Sequence, residues 1–385
     1  MKDDSDPGFS AVFSAIDHAL MARALRLAER GLFTTQPNPR VGCVVAHGGE
    51  IVGEGWHRRA GEPHAETLAL LNAGERAHGA TAYVTLEPCS HHGRTPPCAD
   101  ALIEAGVTRV VVASEDPNPK VAGAGVQRLH AAGVAVEAGL MRDAARELNR
   151  GFFSRFERGR PWLRVKLATS LDGRTALAHG ESKWITGEAA RADVHRWRAR
   201  SSAILTGAGT VRADDPRLTV RLNSLSADGF IVGGEGFKPL RVVLDARLDA
   251  LQASAHLLDG SVPTLVLHGH GAQPRDDRYA RTELAAMPMT ADGRLEPDGM
   301  LRLLAARGVN ELQVEAGPTL CGALFEQRLV DELLLYVAPT VLGDAARPLL
   351  HLPEPAALSE RRDWRVIDRR MLGSDQRLLL RPAAL

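Results

Sequence analysis

The sequence predicts an α/β protein with two domains. Short apolar segments typical of strands alternate with segments whose apolar residues recur at helical spacing, first over residues 14–139 and again from Trp162 onwards. The chain has 385 residues, which exceeds one ordinary domain and suffices for two buried cores. Between the two patterns, residues 141–160 are rich in arginine and lead into Pro161, so they are the best linker candidate.

The first pattern predicts about five strands. Ser14 and Asp17 open a helix that Gly31 ends, and residues 107–116 form a short apolar run suited to a strand buried on both faces. A Gly48-Gly49 turn joins two strands within 41–56. The other predicted elements are helices at 63–73, 96–106 and 122–132 and strands at 81–87 and 134–139.

The second pattern starts with strand-like residues at 162–176. A helix at 186–201 and a strand at 202–211 follow, and 311–339 read as strand, Gly-Pro turn, helix and strand. Further strands are predicted at 240–246 and 264–269. Residues 222–238 contain four glycines and are predicted as a flexible insertion, whose role the sequence does not indicate.

Composition and charge favour a small-molecule substrate. Lys plus Arg (47) equals Asp plus Glu (47), so the chain lacks the basic surplus that attracts polynucleotides or anionic membranes. Four unevenly spaced cysteines suit a reducing compartment, and no stretch approaches the roughly 18 apolar residues of a membrane span. We expect a cytoplasmic enzyme with no nucleic-acid or membrane partner; a homo-oligomer is also expected, although no residue pattern argues for it.

Two short segments together indicate a metal site. "EPHAETLALL" contains His64 and Glu66, and "LEPCSHHGRTPPC" contains Cys89 and Cys98. Catalytic zinc usually takes three protein ligands and leaves a position for water, and one imidazole with two thiolates is an accepted set. A carboxylate held off the metal can then carry the proton, as in the His-x-Glu and Pro-Cys-x-x-Cys pattern of zinc deaminases. We predict one zinc ion per chain, bound by His64, Cys89 and Cys98, with Glu66 as catalytic acid and base.

The cysteine loop leaves alternatives open. Six more residues than in the short pattern separate the two cysteines, and His91 and His92 within that loop could bind metal themselves. We prefer Cys98 because it lies at a predicted helix start, where the helix dipole favours a thiolate. His91 and His92 then line the mouth of the site or are solvated loop residues. The structural alternative for the two cysteines is that they are packing thiols.

The spacing of His64 and Glu66 constrains where the metal lies. Residues two apart point about 200° from each other on an ideal helix. They can converge on one metal only in the first turn, next to the end of the helix. Pro63 at the helix start fits this requirement.

Glycine clusters in the second domain suggest phosphate binding. The domain lacks the Gly-x-Gly-x-x-Gly dinucleotide pattern after its first strand. Residues 315–324, "EAGPTLCGAL", are a strand end that turns into a helix start, where free N–H groups hold anions. Residues 205–211, "LTGAGTV", allow a ligand to approach the backbone. Each cluster alone is also compatible with a tight turn.

The first domain resembles a known family. "PNPRVGCVV", "GEGWHRRAGEPHAE" and "LEPCSHHGRTPPCADALIEAGVTRVVVASEDPNPKVAGAG" are similar to the deaminase half of the bifunctional riboflavin-biosynthesis deaminase/reductase family, which has the expanded cysteine spacing. The resemblance covers 14–150 and implies a cytidine-deaminase-like three-layer α/β/α domain. It implies hydrolytic deamination of 2,5-diamino-6-ribosylamino-4(3H)-pyrimidinone 5′-phosphate, with Asn38 and His57 as substrate contacts. Without it, these residues would be interpreted as a loop cap and an exposed strand-end histidine.

The second domain resembles the reductase half of the same family over 161–382. The strings that carry the likeness are "KLATSLDGRTALAHGESKWITG", "RADDPRLTVR" and "VEAGPTLCGAL". The resemblance implies a dihydrofolate-reductase-like α/β domain that uses NADPH to reduce the ribosyl group to ribityl. The implied NADPH contacts are Ala168, Trp184, Thr210, Asp214, Gly317, Pro318, Thr319, Leu320, Cys321, Gly322 and Ala323. The implied substrate contacts are Ser182, Arg198, Leu218, Arg221 and Glu315.

Some of these residues also have a chemical rationale. Arg198 and Arg221 suit clamps for the sugar 5′-phosphate, because guanidinium binds phosphate oxygens in pairs. Asp214 is the predicted proton donor for reduction, although Asp215 could serve or could cap a turn. The preference for NADPH over NADH rests on the resemblance alone. Cys43 and Cys321 are interpreted as packing residues. For Cys321 this concerns the side chain, because its backbone belongs to the turn that the resemblance implies for NADPH.

Two other function classes are weighed against this hypothesis. A nucleoside or tRNA deaminase joined to another reductase is one, and zero net charge disfavours the tRNA version. The other is a binding protein with structural zinc, which would normally carry four protein ligands. An exchangeable water on the metal would exclude it.

Overall fold

A computed structural model describes residues 13–90, 96–221 and 238–383. The chain divides into two compact units between Glu157 and Arg158, inside the predicted linker. His91, His92 and all but the last residue of the predicted insertion 222–238 lie outside the described residues. No described helix has the length and apolar composition that crossing a membrane requires.

The first unit is built on a mixed five-stranded sheet, as the sequence predicts. The strand order is β2-β1-β3-β4-β5, with β1 antiparallel to β2 and β3, and β3, β4 and β5 parallel. The strands are β1 (Gly42–His47), β2 (Glu50–Trp56), β3 (Thr81–Val84), β4 (Arg109–Val112) and β5 (Ala135–Ala138). The helices are α1 (Ala15–Glu29), α2 (Ala65–Ala73), α3 (Cys98–Glu104), α4 (Ala124–Ala131), α5 (Arg142–Leu148) and α6 (Arg150–Arg158).

Apolar residues on both faces of this sheet produce three layers. Val44 and Tyr83 face a core that includes α1 and α5, whereas Cys43, Val45 and Val84 face α2, α3 and α4. Alternate strand residues point to opposite faces, so a strand buried on both faces is apolar throughout. The predicted three-layer α/β/α arrangement is confirmed, and Cys43 is a buried packing residue.

Glycines let α2 lie directly on β2. A Cβ atom on Gly53 would be 2.2 Å from the Ala69 carbonyl oxygen, and one on Gly55 would be 2.3 Å from the Ala65 carbonyl oxygen. Side chains are therefore excluded on this face of β2, and α2 presents small residues to it. The close approach fixes the position of the first turn of α2.

The segment predicted as a linker is instead largely helical. The Asn149 side chain exchanges two hydrogen bonds with the Arg40 backbone, at 2.8 and 2.9 Å. Phe152 and Phe153 are buried against Leu86. The arginine-rich composition masked this apolar face, so the linker prediction for 141–160 is wrong for most of its length.

The second unit contains a nine-stranded sheet. Its order is β11-β10-β9-β8-β12-β6-β13-β16-β15, with parallel pairing from β11 to β13 and antiparallel pairing for the last two strands. The strands of this sheet are β6 (Trp162–Thr169), β8 (Ala203–Gly207), β9 (Leu240–Leu244), β10 (Thr264–Gly269), β11 (Glu283–Met287), β12 (Glu311–Val314), β13 (Glu332–Val337), β15 (Trp364–Leu372) and β16 (Asp375–Pro382). Two further strands, β7 (Arg174–Ala176) and β14 (Arg347–Pro348), form a separate two-stranded sheet. The helices are α7 (Glu188–Arg200), α8 (Ala208–Asp214), α9 (Pro297–Ala306) and α10 (Pro318–Glu326).

Helices cover both faces of the second sheet. Met300 and Leu324 belong to one core with β6, β8 and β12, whereas Val211 and Tyr279 pack on the other side of β8, β9 and β10. The predicted strand 202–211 ends at Gly207, and its remainder is the start of α8. The α/β class predicted for this domain is confirmed.

Candidate active sites

Three side chains of the first unit form a cluster able to hold a metal ion. His64 Nδ1 lies 3.2 Å from Cys98 Sγ and 3.5 Å from Cys89 Sγ. All three donor atoms lie within 4.8 Å of one another. One imidazole and two sulfurs match a catalytic zinc donor set, because soft sulfur ligands and three protein donors leave one position free.

Two helix starts and one loop build this cluster. His64 is the N-cap of α2, and its side chain makes no capping hydrogen bond, which leaves the imidazole available. Cys98 is the first residue of α3, and its backbone N–H donates to Cys89 Sγ at 3.4 Å. The candidate metal ligands therefore lie at the N-terminal ends of α2 and α3, as the spacing of His64 and Glu66 predicts. Pro63 precedes the N-cap rather than occupying the first helical position.

The three donors also perturb one another. A hydrogen bond from Cys98 and the neighbouring His64 lower the pKa of Cys89 to about 4, although burial opposes this. The same interaction, together with burial, raises the pKa of Cys98. The hydrogen bond with Cys89 raises the pKa of His64 against the effect of burial. A thiolate that is already stabilised suits metal binding, which requires deprotonated sulfur.

Glu66 lies beside the cluster without belonging to it. It is the second residue of α2 and is only 3% exposed. Burial raises its pKa to about 7, with the nearby His64 opposing and Cys89 reinforcing the shift. A carboxyl group with a pKa near the working pH can both accept and donate a proton.

The cluster opens into a cavity of about 280 Å³. Asn38 and His57 line it together, with Asn38 Nδ2 3.1 Å from His57 Nε2. His57 Nδ1 is 3.2 Å from the Pro63 carbonyl oxygen, and burial lowers the pKa of this imidazole. His57 is only 3% exposed, so its interpretation as an exposed strand-end histidine is wrong. The structure therefore brings both implied substrate contacts to the metal cluster.

The cavity wall also contains residues that the sequence analysis did not single out, namely Glu87, Asp116, Asn118 and Arg155. The Glu87 carboxylate accepts backbone hydrogen bonds from Asp116, Gly123, Gly125 and Val126, which holds the start of α4 beside the site. Burial and the Glu87 charge raise the pKa of Asp116 to about 6. The string "SEDPNPK" contained Asp116 and Asn118, but nothing in its spacing showed that they reach the cysteine loop.

In the second unit, the predicted glycine clusters lie together. Strands β8, β12 and β6 are parallel neighbours, so their carboxyl ends meet at one edge of the sheet. Gly207 and Gly317 are the N-caps of α8 and α10 at this edge, and a Cβ built on Gly207 would lie 3.2 Å from Leu320 Cδ2. Among the described residues, no atom outside the local backbone lies within 4 Å of a Cβ built on Gly209 or Gly317. Open space beside two helix N-termini fits the phosphates of a dinucleotide.

Arg198 and Glu315 form a bidentate ion pair at the same edge. The Nε and Nη2 groups of Arg198 each donate to Glu315 at 2.7 Å, and Nη1 donates to the Thr219 carbonyl oxygen. Although burial opposes it, Arg198 lowers the pKa of Glu315 to about 2. Lys166, which the sequence analysis did not identify, is partly buried nearby, and desolvation lowers its pKa.

The other implied reductase contacts differ in exposure. Trp184 is 69% exposed and stacks on Arg191, whose Cζ lies 4.6 Å from the ring centroid. Asp214 is exposed at the end of α8, and Arg221 is exposed beside His195. The Asp215 carboxylate accepts a hydrogen bond from the His256 backbone N–H at 3.0 Å, which supports its capping alternative. The implied contacts that are partly buried are Ala168, Ser182, Thr210, Leu320 and Ala323, whereas Thr319 is exposed and Pro318 is buried.

Three implied contacts face the protein's own interior. The Leu218 side chain belongs to a buried core, and the Cys321 thiol donates to the Ala316 carbonyl oxygen at 3.4 Å. A Cβ on Gly322 would be 2.1 Å from the His351 carbonyl oxygen. Side-chain contact of these residues with a ligand is excluded, so any contact they make is through the backbone.

The fold and the donor set of the first unit define a zinc-dependent hydrolase of the deaminase class, joined to a nucleotide-binding α/β unit. Residues 14–114 match the family described as cytidine and deoxycytidylate deaminase zinc-binding region, and residues 161–372 match the RibD C-terminal domain. A riboflavin biosynthesis protein RibD of Escherichia coli is 49% identical, with 93% of this chain and 97% of the relative covered.

Solved structures agree with these matches. An Acinetobacter baumannii RibD structure is 43% identical with a TM-score of 0.86, covering 96% of this chain and 99% of the other. A Thermotoga maritima diaminohydroxyphosphoribosylaminopyrimidine deaminase/5-amino-6-(5-phosphoribosylamino)uracil reductase is 31% identical with a TM-score of 0.82, with the same coverage. The chain belongs to the RibD family. It is a bifunctional enzyme of riboflavin biosynthesis, a zinc-dependent deaminase and NADPH-dependent reductase, and both predicted cofactors are confirmed.

Proposed function

We propose that the first unit deaminates 2,5-diamino-6-ribosylamino-4(3H)-pyrimidinone 5′-phosphate at its 2-amino carbon. The second unit then reduces the ribosyl group with NADPH to give 5-amino-6-ribitylaminouracil 5′-phosphate. The observation that carries the proposal is the convergence of His64, Cys89 and Cys98 beside the buried Glu66. The name of the Thermotoga maritima relative describes the same two activities.

In the proposed deamination, His64, Cys89 and Cys98 hold the zinc ion. Zinc bound by these ligands supplies a water nucleophile at neutral pH and Lewis acidity. Glu66 accepts the proton of the attacking water and donates it to the departing amine, since its pKa of about 7 allows both steps. Asn38 and His57, joined by a hydrogen bond, orient the pyrimidine over the metal cluster.

In the proposed reduction, the turns at Gly207 and Gly317 hold the cofactor. NADPH supplies the hydride, and the protein orients the two reacting groups and excludes water. The turn residues 317–323, together with Ala168, Trp184, Thr210 and Asp214, form the cofactor side of the cleft. Ser182, Leu218, Arg221 and the Arg198–Glu315 pair form the substrate side.

The Arg198–Glu315 ion pair gives different roles to Arg198 and Arg221, the two residues predicted to bind the sugar phosphate. Two of the three guanidinium nitrogens of Arg198 are committed to Glu315, and the third donates to Thr219. Arg221 is exposed, and the hydrogen bonds it makes to described residues are those with His195. We therefore assign the sugar phosphate to Arg221 and assign Arg198 the task of orienting Glu315. Asp214 stays the candidate proton donor.

The alternative of a purely structural zinc is less well supported. Structural zinc sites are closed by four protein ligands. The cluster found among the described residues offers three, and it opens into a cavity lined by polar groups. This arrangement leaves room for a substrate at the metal.

One experiment tests both activities in order. The diaminopyrimidine ribotide is supplied with NADPH, and ammonia release and NADPH absorbance are followed in the same cuvette. Ammonia should appear first, and NADPH oxidation should follow only after deamination. Oxidation of NADPH before any ammonia release would contradict the proposed order of the two reactions.

We also propose that the chain acts as a cytoplasmic homo-oligomer with no nucleic-acid or membrane partner. Its balanced charge supports the absence of a polyanionic partner. Light scattering of the full chain measures the oligomeric state, and cell fractionation measures the location. A monomer, or recovery with membranes, would contradict this part of the proposal.

A further inference from the structure

The helix α6 forms part of the wall of the deaminase cavity. Phe152, Arg155 and Phe156 of this helix line the same space as His64, Cys89 and Glu66. The three residues recur at positions one helical turn apart, so they share one face. A segment that looked like a linker in sequence therefore contributes directly to the surroundings of the metal cluster.

Acidic side chains outnumber basic ones around the cavity, although the proposed substrate carries a negatively charged phosphate. Among the described lining residues, Glu66, Glu87 and Asp116 are carboxylates, and Arg155 is the one permanently charged cation. A phosphate dianion entering this space needs a cation, and guanidinium is suited to phosphate oxygens because it donates paired hydrogen bonds.

Arg155 is held in place but its N–H groups are not used. Its Cζ lies 4.5 Å from the Phe156 ring centroid and 5.7 Å from that of Phe152. Within the described part of the chain it has no hydrogen-bond acceptor, and Asp116 attracts it only at longer range. Burial lowers the pKa of Arg155, yet a guanidinium stays charged at neutral pH. Stacking therefore orients a cation whose donors remain available to a ligand.

We propose that Arg155 binds the 5′-phosphate of the deaminase substrate and makes the first unit selective for a ribotide over a riboside. The aromatic rings of Phe152 and Phe156 hold the guanidinium by cation–π contact, and the phosphate supplies the missing acceptors. This inference rests on the proposed function of the first unit. It assigns a substrate-binding role to a helix outside the metal motif.

The test compares two substrates in two variants of the full chain. Arg155→Met keeps a long apolar stem against Phe156 and removes the charge, and Arg142→Met makes the same change at an exposed position of α5. For Arg155→Met, KM for the ribotide should rise about ten- to a hundredfold, as expected for lost charge-assisted hydrogen bonds. KM for the riboside and kcat for both substrates should stay within about twofold of wild type. Arg142→Met should match wild type throughout.

Further readouts separate phosphate binding from a structural role. Inorganic phosphate should inhibit riboside deamination in wild type and in Arg142→Met, and this inhibition should weaken in Arg155→Met. Zinc content and reduction of separately supplied deaminated product should be unchanged in all variants. Equal KM increases for ribotide and riboside, or undiminished phosphate inhibition in Arg155→Met, would overturn the inference. A wild type that releases no ammonia from either substrate refutes the proposed function itself, and the inference with it.

Discussion

At the scale of single residues, the balance between burial and a neighbouring charge decides what two glutamates can do. Glu66 and Glu315 are both enclosed, but their partners differ. Burial dominates at Glu66 and raises its pKa to about 7, whereas Arg198 outweighs burial at Glu315 and lowers its pKa to about 2. One carboxyl group can therefore exchange protons near neutrality, and the other remains an anion. This difference supports the proposed role of Glu66 as proton carrier and suits Glu315 to act as a fixed anion.

Glu66→Gln should retain stoichiometric zinc and lose deamination. The amide keeps the size of the side chain and cannot carry a proton, so ammonia release should fall about a hundredfold or more. Reduction of supplied deaminated product should be unaffected. Metal analysis and ammonia assays check this, with Glu75→Gln, at an exposed position, as the matched control. Loss of zinc from Glu66→Gln would show that Glu66 is a ligand instead.

Glu315→Gln should destabilise the second unit through the unpaired Arg198. Removing one partner of a buried ion pair costs about 3 kcal/mol or more, whereas exposed Glu181→Gln should cost almost nothing. Because the folded pKa lies below the ordinary value of 4.5, this stabilisation is fully present above that value and is lost as the pH falls toward about 2. Urea unfolding should show a constant deficit from about pH 8 to pH 5. A deficit that shrinks within that range would refute the assignment of charge.

At the scale of elements, the metal cluster depends on how closely α2 lies on β2. Ala65 and Ala69 of the helix face Gly53 and Gly55 of the strand, at distances that leave no space for a Cβ on either glycine. Since His64 is the N-cap of α2, any outward movement of the helix moves a candidate zinc ligand. The strand glycines therefore have a functional consequence although they do not line the cavity.

Gly55→Ala should weaken zinc binding and lower stability. The added methyl group would meet the Ala65 carbonyl oxygen at 2.3 Å, so the helix must shift, at an expected cost of about 1–3 kcal/mol. Zinc content after dialysis and the urea midpoint measure both effects. Gly49→Ala is the control, because its Cβ position has no atom within 4 Å from any described residue other than its chain neighbours. Full zinc content and an unchanged midpoint in Gly55→Ala would contradict this account.

Local patterns predicted most elements of the fold, and the failures have physical reasons. Strands β1, β2 and β12 were predictable because each is at least partly buried, and burial leaves short apolar patterns that are visible in the sequence. By contrast, β15 is mostly exposed along the edge of its sheet, so its polar sequence carries no such pattern. The helix α6 was misread as a linker because its charged residues outnumber Phe152 and Phe153.

The candidate site was predictable to the extent that its residues share short motifs. His64 and Glu66 are close in sequence to each other, and the two cysteines flank one loop, so residue chemistry sufficed. Glu87 accepts a hydrogen bond from the Gly125 N–H, and Arg155 is attracted by Asp116 at longer range. Both interactions join residues that are distant in the chain, so no local spacing encodes them. The Arg198–Glu315 pair was likewise predicted only as two separate substrate contacts.

At the scale of the whole molecule, each unit contains its own core and its own chemistry. The zinc donors and Glu66 lie in the first unit, whereas the glycine turns and the Arg198–Glu315 pair lie in the second. The hydrophobic clusters follow the same division. The two reactions therefore draw on separate sets of residues, and loss of one set need not disturb the other.

Removal of zinc from the full chain should abolish deamination and spare reduction. The described residues that could bind the ion are His64, Cys89 and Cys98, and all three belong to the first unit. After dialysis against a chelator, ammonia release from the ribotide should be lost, whereas oxidation of NADPH with supplied deaminated product should stay within about twofold of the untreated enzyme. Re-addition of zinc should restore ammonia release, and magnesium, which prefers oxygen ligands, should not. A parallel loss of both reactions would show that the reductase depends on the metal as well, and that the two units do not act independently.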